Sequence, residues 1–107
     1  MSNSTEEIAK GKLPESESVK EILASGNNIG LRIWKNEEPG ADKDLHRSAY
    51  ETVGYVLKGK AELHIEGAVT ELKEGDSYVV PENAEHTYKI LETFSAVEAT
   101  SPPAHLQ

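Results

Sequence analysis

Apolar and polar residues alternate with a period of two along most of the chain beyond residue 28. The alternation is clear over residues 29–34 and 61–66, where Ile, Leu and Ala occupy every second position. This period is typical of half-buried β-strands, because successive side chains of a strand point to opposite faces. Turn signals recur between these segments: Glu38-Pro39-Gly40, Lys58-Gly59-Lys60, Glu66-Gly67-Ala68, Glu74-Gly75-Asp76 and Pro81-Glu82-Asn83. A spacing of about 8 to 12 residues predicts an all-β, antiparallel sandwich or barrel.

The first part of the chain has a different composition. Residues 1–18 contain Gly, Pro and several Ser and Glu, with few apolar positions. We expect this segment to be a flexible N-terminal arm, and we place the domain at residues 19–107. Residues 19–24 are too few to distinguish a short helix from a first strand.

Two predicted strands, residues 52–57 and 77–80, are apolar on both faces. A small sandwich has one interior, so the second apolar face must be covered by another segment or another subunit. We therefore expect a homodimer, formed through a sheet face or through an exchanged N-terminal strand.

Length and composition narrow the possible functions. The chain has 107 residues, which allows one domain. Its 19 acidic and 11 basic residues give a net charge of -8, which disfavours nucleic acid and anionic membranes as partners. It has no cysteine, which excludes disulfides and thiol chemistry, so its four histidines and its carboxylates remain for metal or acid-base chemistry. We expect a cytoplasmic location, because no stretch resembles a signal peptide or a membrane span.

Two segments, residues 46–59 and 75–86, resemble the two motifs of the cupin superfamily. The first reads HRSAYETVGYVLKG and the second GDSYVVPENAEH. With the strand between them, the resemblance covers about residues 39–90. It implies an antiparallel jelly-roll barrel, and a small-molecule site inside that barrel.

The resemblance also implies metal ligands, from which this sequence departs. Metal-binding cupins carry two His and a carboxylate in the first motif and a third His in the second. Here His46 and His86 match the first and last of these positions, whereas Ser48 replaces the second His and Thr52 stands at the carboxylate position, beside Glu51. We expect a divalent transition metal on His46 and His86, and the candidates for its carboxylate ligand are Glu51 and Glu98.

Strand parity decides which of these side chains can meet. Without a bulge, His46, Ser48, Tyr50 and Thr52 share one face, and Glu51 points to the other. A bulge between residues 48 and 51 would bring Glu51 beside the two histidines. Glu98 lies in the predicted strand 94–100. If the face that carries Phe94, Ala96 and Glu98 points inward, Glu98 enters the barrel; if that face points outward, Glu98 is exposed.

We therefore expect a cavity lined by His46, Ser48, Tyr50, Thr52 and His86. It would bind a small molecule, with a divalent metal on the histidines. If the protein is an enzyme, the resemblance implies metal-assisted oxygen or isomerisation chemistry. The alternative is a non-enzymatic, metal-free sensor or structural module.

Overall fold

The computed structural model describes residues 20–40 and 43–106, and these residues form antiparallel β-structure. The arm predicted for residues 1–18 lies outside them. The strands are β1 (Lys20–Ser25), β2 (Gly30–Glu37), β3 (Glu51–Ile65), β4 (Ala68–Lys73), β5 (Ser77–Val80) and β6 (His86–Ser101), and a 3-10 turn follows at Ala104–Leu106. The all-β prediction is confirmed, and the segment that the sequence left open between helix and strand is a strand from Lys20 onward. No helix in the described ranges is long and apolar enough to cross a membrane.

The strands pair in the order β1-β2-β6-β3-β4, and β5 pairs with β3. β3 and β6 are antiparallel over nearly their whole length, with breaks in register between Val56 and Ala61. Gly59 lies at these breaks with a φ of 87°, and a Cβ there would collide with the carbonyl of Thr93. A glycine is therefore required where the β3-β6 ribbon changes its register.

The ribbon curls so strongly that residues of one strand meet across the interior. Ten residues of straight strand span about 33 Å. Yet the hydroxyl of Tyr88 lies 3.3 Å from the carboxylate of Glu98, ten residues further along β6. The early part of β6 therefore folds back over its later part, which encloses the interior as a jelly-roll requires.

The core occupies this interior and follows the predicted alternation over residues 61–65, whereas in β2 the parity is reversed: Leu31 is exposed and Trp34 is buried. Along the first half of β3, every second residue from Thr52 to Val56 is buried and the residues between are exposed. β5 repeats the pattern, with Tyr78 and Val80 buried. The buried apolar cluster contains Trp34, Val56, Ala61, Leu63, Leu72, Tyr78, Val80, Tyr88, Ile90, Phe94 and Ala96.

One row of residues runs across four strands on the inner face. Arg32 pairs with Glu98, Glu98 with Gly54, and Gly54 with Tyr78. A Cβ at Gly54 would overlap the aromatic ring of Tyr78. Because Gly54 has no side chain, the Tyr78 ring lies across β3, and its hydroxyl lies 2.6 Å from the Glu98 carboxylate.

We predict that Gly54→Ala destabilises the protein by about 1–3 kcal/mol, the usual cost of overpacking a tight core. The added methyl group must displace the ring of Tyr78 and lengthen its hydrogen bond to Glu98. Urea unfolding followed by circular dichroism measures the change.

Gly40→Ala is the matched control, because a Cβ at Gly40 meets no atom within 4 Å. We expect it to change the free energy of unfolding by less than about 0.5 kcal/mol. Equal stabilities of Gly54→Ala and wild type would contradict the close approach of Tyr78 to β3.

Candidate functional site

Two histidines from distant parts of the sequence lie side by side at the start of β6. His46 and His86 form an isolated antiparallel bridge, with N–H to carbonyl distances of 3.0 and 2.9 Å in the two directions. Their imidazole rings are 4.3 Å apart between centroids and tilted by 53°. The pairing predicted from the two motifs is therefore present, and the backbone itself fixes it.

Each of these rings turns its Nδ1 toward a backbone carbonyl two residues earlier. The distance is 2.9 Å from His86 to the oxygen of Ala84 and 3.4 Å from His46 to that of Asp44. A carbonyl can only accept, so Nδ1 carries the proton in the neutral ring and Nε2 carries the lone pair. The same arrangement orients metal-binding histidines in other proteins.

The two rings differ in their surroundings. His86 is only 4% exposed and its ring lies 5.9 Å from that of Tyr88, with an interplanar angle of 85°. His46 is exposed. The pair therefore connects solvent with the aromatic interior of the barrel.

The other three predicted cavity residues follow the predicted parity. Ser48 and Thr52 are buried, at 8% and 4% exposure, and Tyr50 is half-buried. The Arg32 guanidinium lies 5.5 Å from the centre of the Tyr50 ring. Tyr50 is thus in contact with the buried row on the inner face.

Glu51 is not brought to the histidines. Its side chain is exposed, whereas those of Tyr50 and Thr52, the residues before and after it, lie on the inner side. The alternation runs through residues 48–52 without the reversal that a bulge would cause. The structure therefore does not support Glu51 as a ligand beside His46 and His86.

The side chain of Glu98 points into the barrel and is completely buried. Its Oε1 accepts from Arg32 Nε and Nη2, both at 2.8 Å, and from Trp34 Nε1 at 3.1 Å. Its Oε2 accepts from Tyr78 at 2.6 Å and from Tyr88 at 3.3 Å. We call these five residues the Glu98 cluster: Arg32, Trp34, Tyr78, Tyr88 and Glu98.

The charges of this cluster compensate one another. Burial opposes the positive charge of Arg32, but Glu98 and Tyr50 outweigh that effect, so the pKa of Arg32 lies above its usual value. Burial, followed by the negative charge of Glu98, raises the pKa of Tyr78 and of Tyr88 far above 10. Both phenols therefore remain neutral hydrogen-bond donors.

The sequence left this cluster unassigned. The sequence left Glu98 on either face of its strand and assigned no role to Trp34 or Tyr88. One signal was available: Arg32 and Trp34 take alternate positions in β2, so both must share a face. The sequence could not show which residues this face contacts, because those contacts come from strands that are far apart in the sequence.

The described residues provide only part of a ligand set for the metal that the resemblance implies. Two imidazoles suit zinc, copper, iron or nickel. Glu98 is committed to Arg32, and in the described part of the chain no three His, Asp or Glu side chains are grouped to hold an ion. His46 and His86 fit such an ion as two ligands, with water or a bound molecule supplying the others.

A cleft of about 280 Å³ lies next to the histidine bridge. It is lined by Lys43, Leu45, His64, Thr87, Tyr88 and Lys89. His64 is half-exposed, and its Nε2 lies 3.0 Å from Oε1 of Glu62. His105 is exposed. Neither of these histidines joins the pair.

Comparison with known proteins agrees with this architecture. Residues 35–100 match the cupin domain family. An uncharacterised protein of Aquifex aeolicus is 31% identical over 102 residues, which are 95% of this chain and 74% of the relative. The chain therefore belongs to the cupin family.

Solved structures give the same result. KdgF from a Halomonas species is 27% identical, with a TM-score of 0.70 and coverage of 78% of each chain. An RmlC-like cupin from Shewanella frigidimarina is 20% identical, with a TM-score of 0.72 and coverage of 85% of this chain and 84% of that one. The second similarity concerns the fold alone.

We predict that Arg32→Met costs about 3–5 kcal/mol, because it leaves the buried Glu98 carboxylate without its counter-charge. Urea unfolding measures the loss. Adding Glu98→Gln in the same chain should recover part of it, since the uncompensated charge is then gone.

Lys35→Met is the control, because Lys35 forms a more exposed ion pair with Glu21 at 3.3 Å. Such surface pairs contribute at most about 1 kcal/mol. Equal losses in Arg32→Met and Lys35→Met would contradict the compensation of Glu98 by Arg32.

The buried tyrosines predict a loss of stability at alkaline pH. Their folded pKa values are raised, so the unfolded chain loses protons above about pH 10 that the folded chain retains. The contribution of the two tyrosines to the free energy of unfolding is therefore fully present below pH 10. It falls as the pH rises above 10, by about 1.4 kcal/mol per pH unit for each tyrosine.

Tyr78→Phe removes one of these groups. We expect the slope of unfolding free energy against pH, measured with urea between pH 9 and 11, to become less negative by about 1.4 kcal/mol per unit above pH 10. An unchanged slope would show that Tyr78 ionises equally in the two states.

Proposed function

We propose that this cupin binds a small polar molecule at the mouth of its barrel, and that His46 and His86 hold a divalent transition metal that takes part in the binding. The observation that carries the proposal is the backbone bridge between the two histidines, with rings 4.3 Å apart. Two residues forty positions apart are brought into contact, and the Nδ1 of each ring faces a backbone carbonyl.

The inner wall of the site supports a polar ligand. Tyr50, Ser48 and Thr52 carry hydroxyl groups on the side predicted to face the cavity. The Glu98 cluster forms a neutral floor, because the charges of Glu98 and Arg32 cancel. A bound metal would supply Lewis acidity, and the chain's own hydroxyl groups would orient the molecule by hydrogen bonds.

The alternative from the sequence is a metal-free sensor or structural module. Ser48 and Thr52 stand where metal-binding relatives carry ligands, which favours this alternative. The two functions differ in one measurable property, the affinity of the histidine pair for metal ions. The cytoplasmic location expected from the sequence stays a prediction.

The test uses the full chain, purified without chelator and without nickel resin. Its metal content is measured by elemental analysis, and its thermal unfolding is followed with added Mn, Fe, Ni, Cu or Zn ions. An ion that binds only the folded state at one hundred times its Kd stabilises by about 2.7 kcal/mol. We expect stabilisation by at least one of these ions.

His46→Ala and His86→Ala should each abolish this gain. His64→Ala is the matched control, because His64 is a half-exposed histidine outside the pair, and it should respond as wild type does. If wild type contains no metal and no ion stabilises it, the metal site is wrong and the metal-free alternative is favoured. Equal gains in all three variants would place the ion elsewhere.

A further inference from the structure

The cleft of about 280 Å³ beside the histidine bridge lies on the outer side of the sheet. Its place follows from the strand register. His64 lies opposite Thr87 in the β3–β6 pairing. Both residues alternate with buried core residues, Leu63 and Tyr88, so their own side chains point outward. The cleft is therefore on the opposite face of the sheet from the aromatic interior.

The segment 43–46 forms the other wall of the cleft and runs antiparallel beside the start of β6. The backbone bridge between the two histidines sets its register. Continued by three residues, that register places Lys43 beside Lys89 and Leu45 beside Thr87. The hydroxyl of Thr87 donates to the carbonyl of Lys43 at 3.0 Å, which holds the segment in place. We call this cavity the lysine cleft: Lys43, Leu45, His64, Thr87, Tyr88 and Lys89.

The lysine cleft carries two ammonium groups in a chain with a net charge of -8. None of its lining residues is acidic. Like charges on adjacent positions of neighbouring strands repel each other, so this arrangement needs negative charge nearby. Lys43 has a counter-charge, because its Nζ lies 2.6 Å from Oε1 of the buried Glu37. The side chain of Lys43 is still 41% exposed, so its ammonium group can donate to a further acceptor.

Lys89 has no such partner. The carboxylate nearest to it by register belongs to Glu62, its cross-strand neighbour on β3. That carboxylate is directed at His64 instead, with 3.0 Å between Oε1 and Nε2. Within residues 20–40 and 43–106, no carboxylate lies at ion-pair distance from the ammonium group of Lys89. The lysine cleft therefore lacks one negative charge.

Apolar surface adjoins the two ammonium groups. Leu45 is 57% exposed, and the buried Tyr88 forms the floor of the cleft. Ligand pockets have volumes of roughly 300–1,000 Å³ and combine apolar walls with a few polar groups. A cleft of about 280 Å³ is at the lower end of that range and suits a small molecule.

We propose that the lysine cleft is a second binding site, and that it takes a small monocarboxylate with a short apolar body. The carboxylate accepts hydrogen bonds from the ammonium groups of Lys89 and Lys43, and the apolar body packs on Leu45. One carboxylate supplies the single negative charge that the cleft lacks. Anions with several charges are disfavoured, because the chain as a whole repels them. The site does not depend on the metal, since neither histidine of the pair lines the cleft.

The test titrates the full chain, treated with chelator to remove metal, with benzoate, and follows the backbone amide signals by heteronuclear NMR. We expect saturable shifts at Leu45, Thr87 and Lys89, with a Kd on the order of 1–10 mM for so small a ligand. Benzyl alcohol has the ring without the charge, and acetate has the charge without the ring. Each should bind at least about fivefold more weakly than benzoate.

Lys89→Met should weaken benzoate binding at least about fivefold, because it removes the unpaired ammonium group. Lys89→Arg keeps the charge and should retain the binding. Lys58→Met is the matched control: Lys58 is an exposed lysine of β3 outside the cleft, so the net charge changes equally while the binding should not. His46→Ala should also bind benzoate as wild type does. Circular dichroism checks that each variant is folded.

Four outcomes would each overturn the proposal. The first is the absence of saturable shifts at the residues of the lysine cleft. The second is a set of shifts confined to inner residues such as Thr52 and His86, which would place the carboxylate inside the barrel. The third is equal weakening by Lys89→Met and Lys58→Met, the sign of a general charge effect. The fourth is equal affinity for benzoate and benzyl alcohol, which would show that the ammonium groups take no part.

Discussion

A buried carboxylate is the constraint on which most of this structure depends. Glu98 is completely buried, and an isolated charge in a protein interior is too costly to keep. The fold compensates it with one ion pair and three neutral donors, from Arg32, Trp34, Tyr78 and Tyr88. These donors come from β2, β5 and the early part of β6. The carboxylate therefore stabilises one particular closure of the barrel, because any other arrangement of these strands would leave it uncompensated.

The same constraint limits what the interior can do chemically. A carboxylate that accepts hydrogen bonds from four side chains has little capacity left for a metal ion or a substrate proton. Glu98 is thus a poor substitute for the carboxylate that metal-binding cupins use, although it lies inside the barrel. The histidine bridge stands apart from the cluster and joins it through the ring contact between His86 and Tyr88. The metal and ligand chemistry of this chain is therefore concentrated at the mouth.

Local patterns predicted the strands, and the motifs predicted the histidine pair. Alternation is a property of each strand by itself, so the inner position of Thr52 and the exposure of Glu51 follow from parity once no bulge intervenes. The surroundings of Glu98 could not be read in this way. They depend on the register between strands, on the break in register at Gly59 and on the curl that brings Tyr88 back to Glu98. These features arise from pairings between distant residues, and no local pattern encodes them.

Adjacent residues of β3 connect the two faces of the sheet. Gly54 lets Tyr78 reach the buried carboxylate, whereas Val53 and Tyr55, one position away on either side, are exposed on the outer face of the sheet. A shift of β3 by one residue would turn Gly54 to the outer face. Val53 or Tyr55 would then point inward, into the space that the Tyr78 ring needs. The requirement to compensate Glu98 thus fixes the register of β3, and with it the residues that β3 exposes on the outer face. Closure of the interior and exposure of the apolar outer residues are consequences of the same strand alignment.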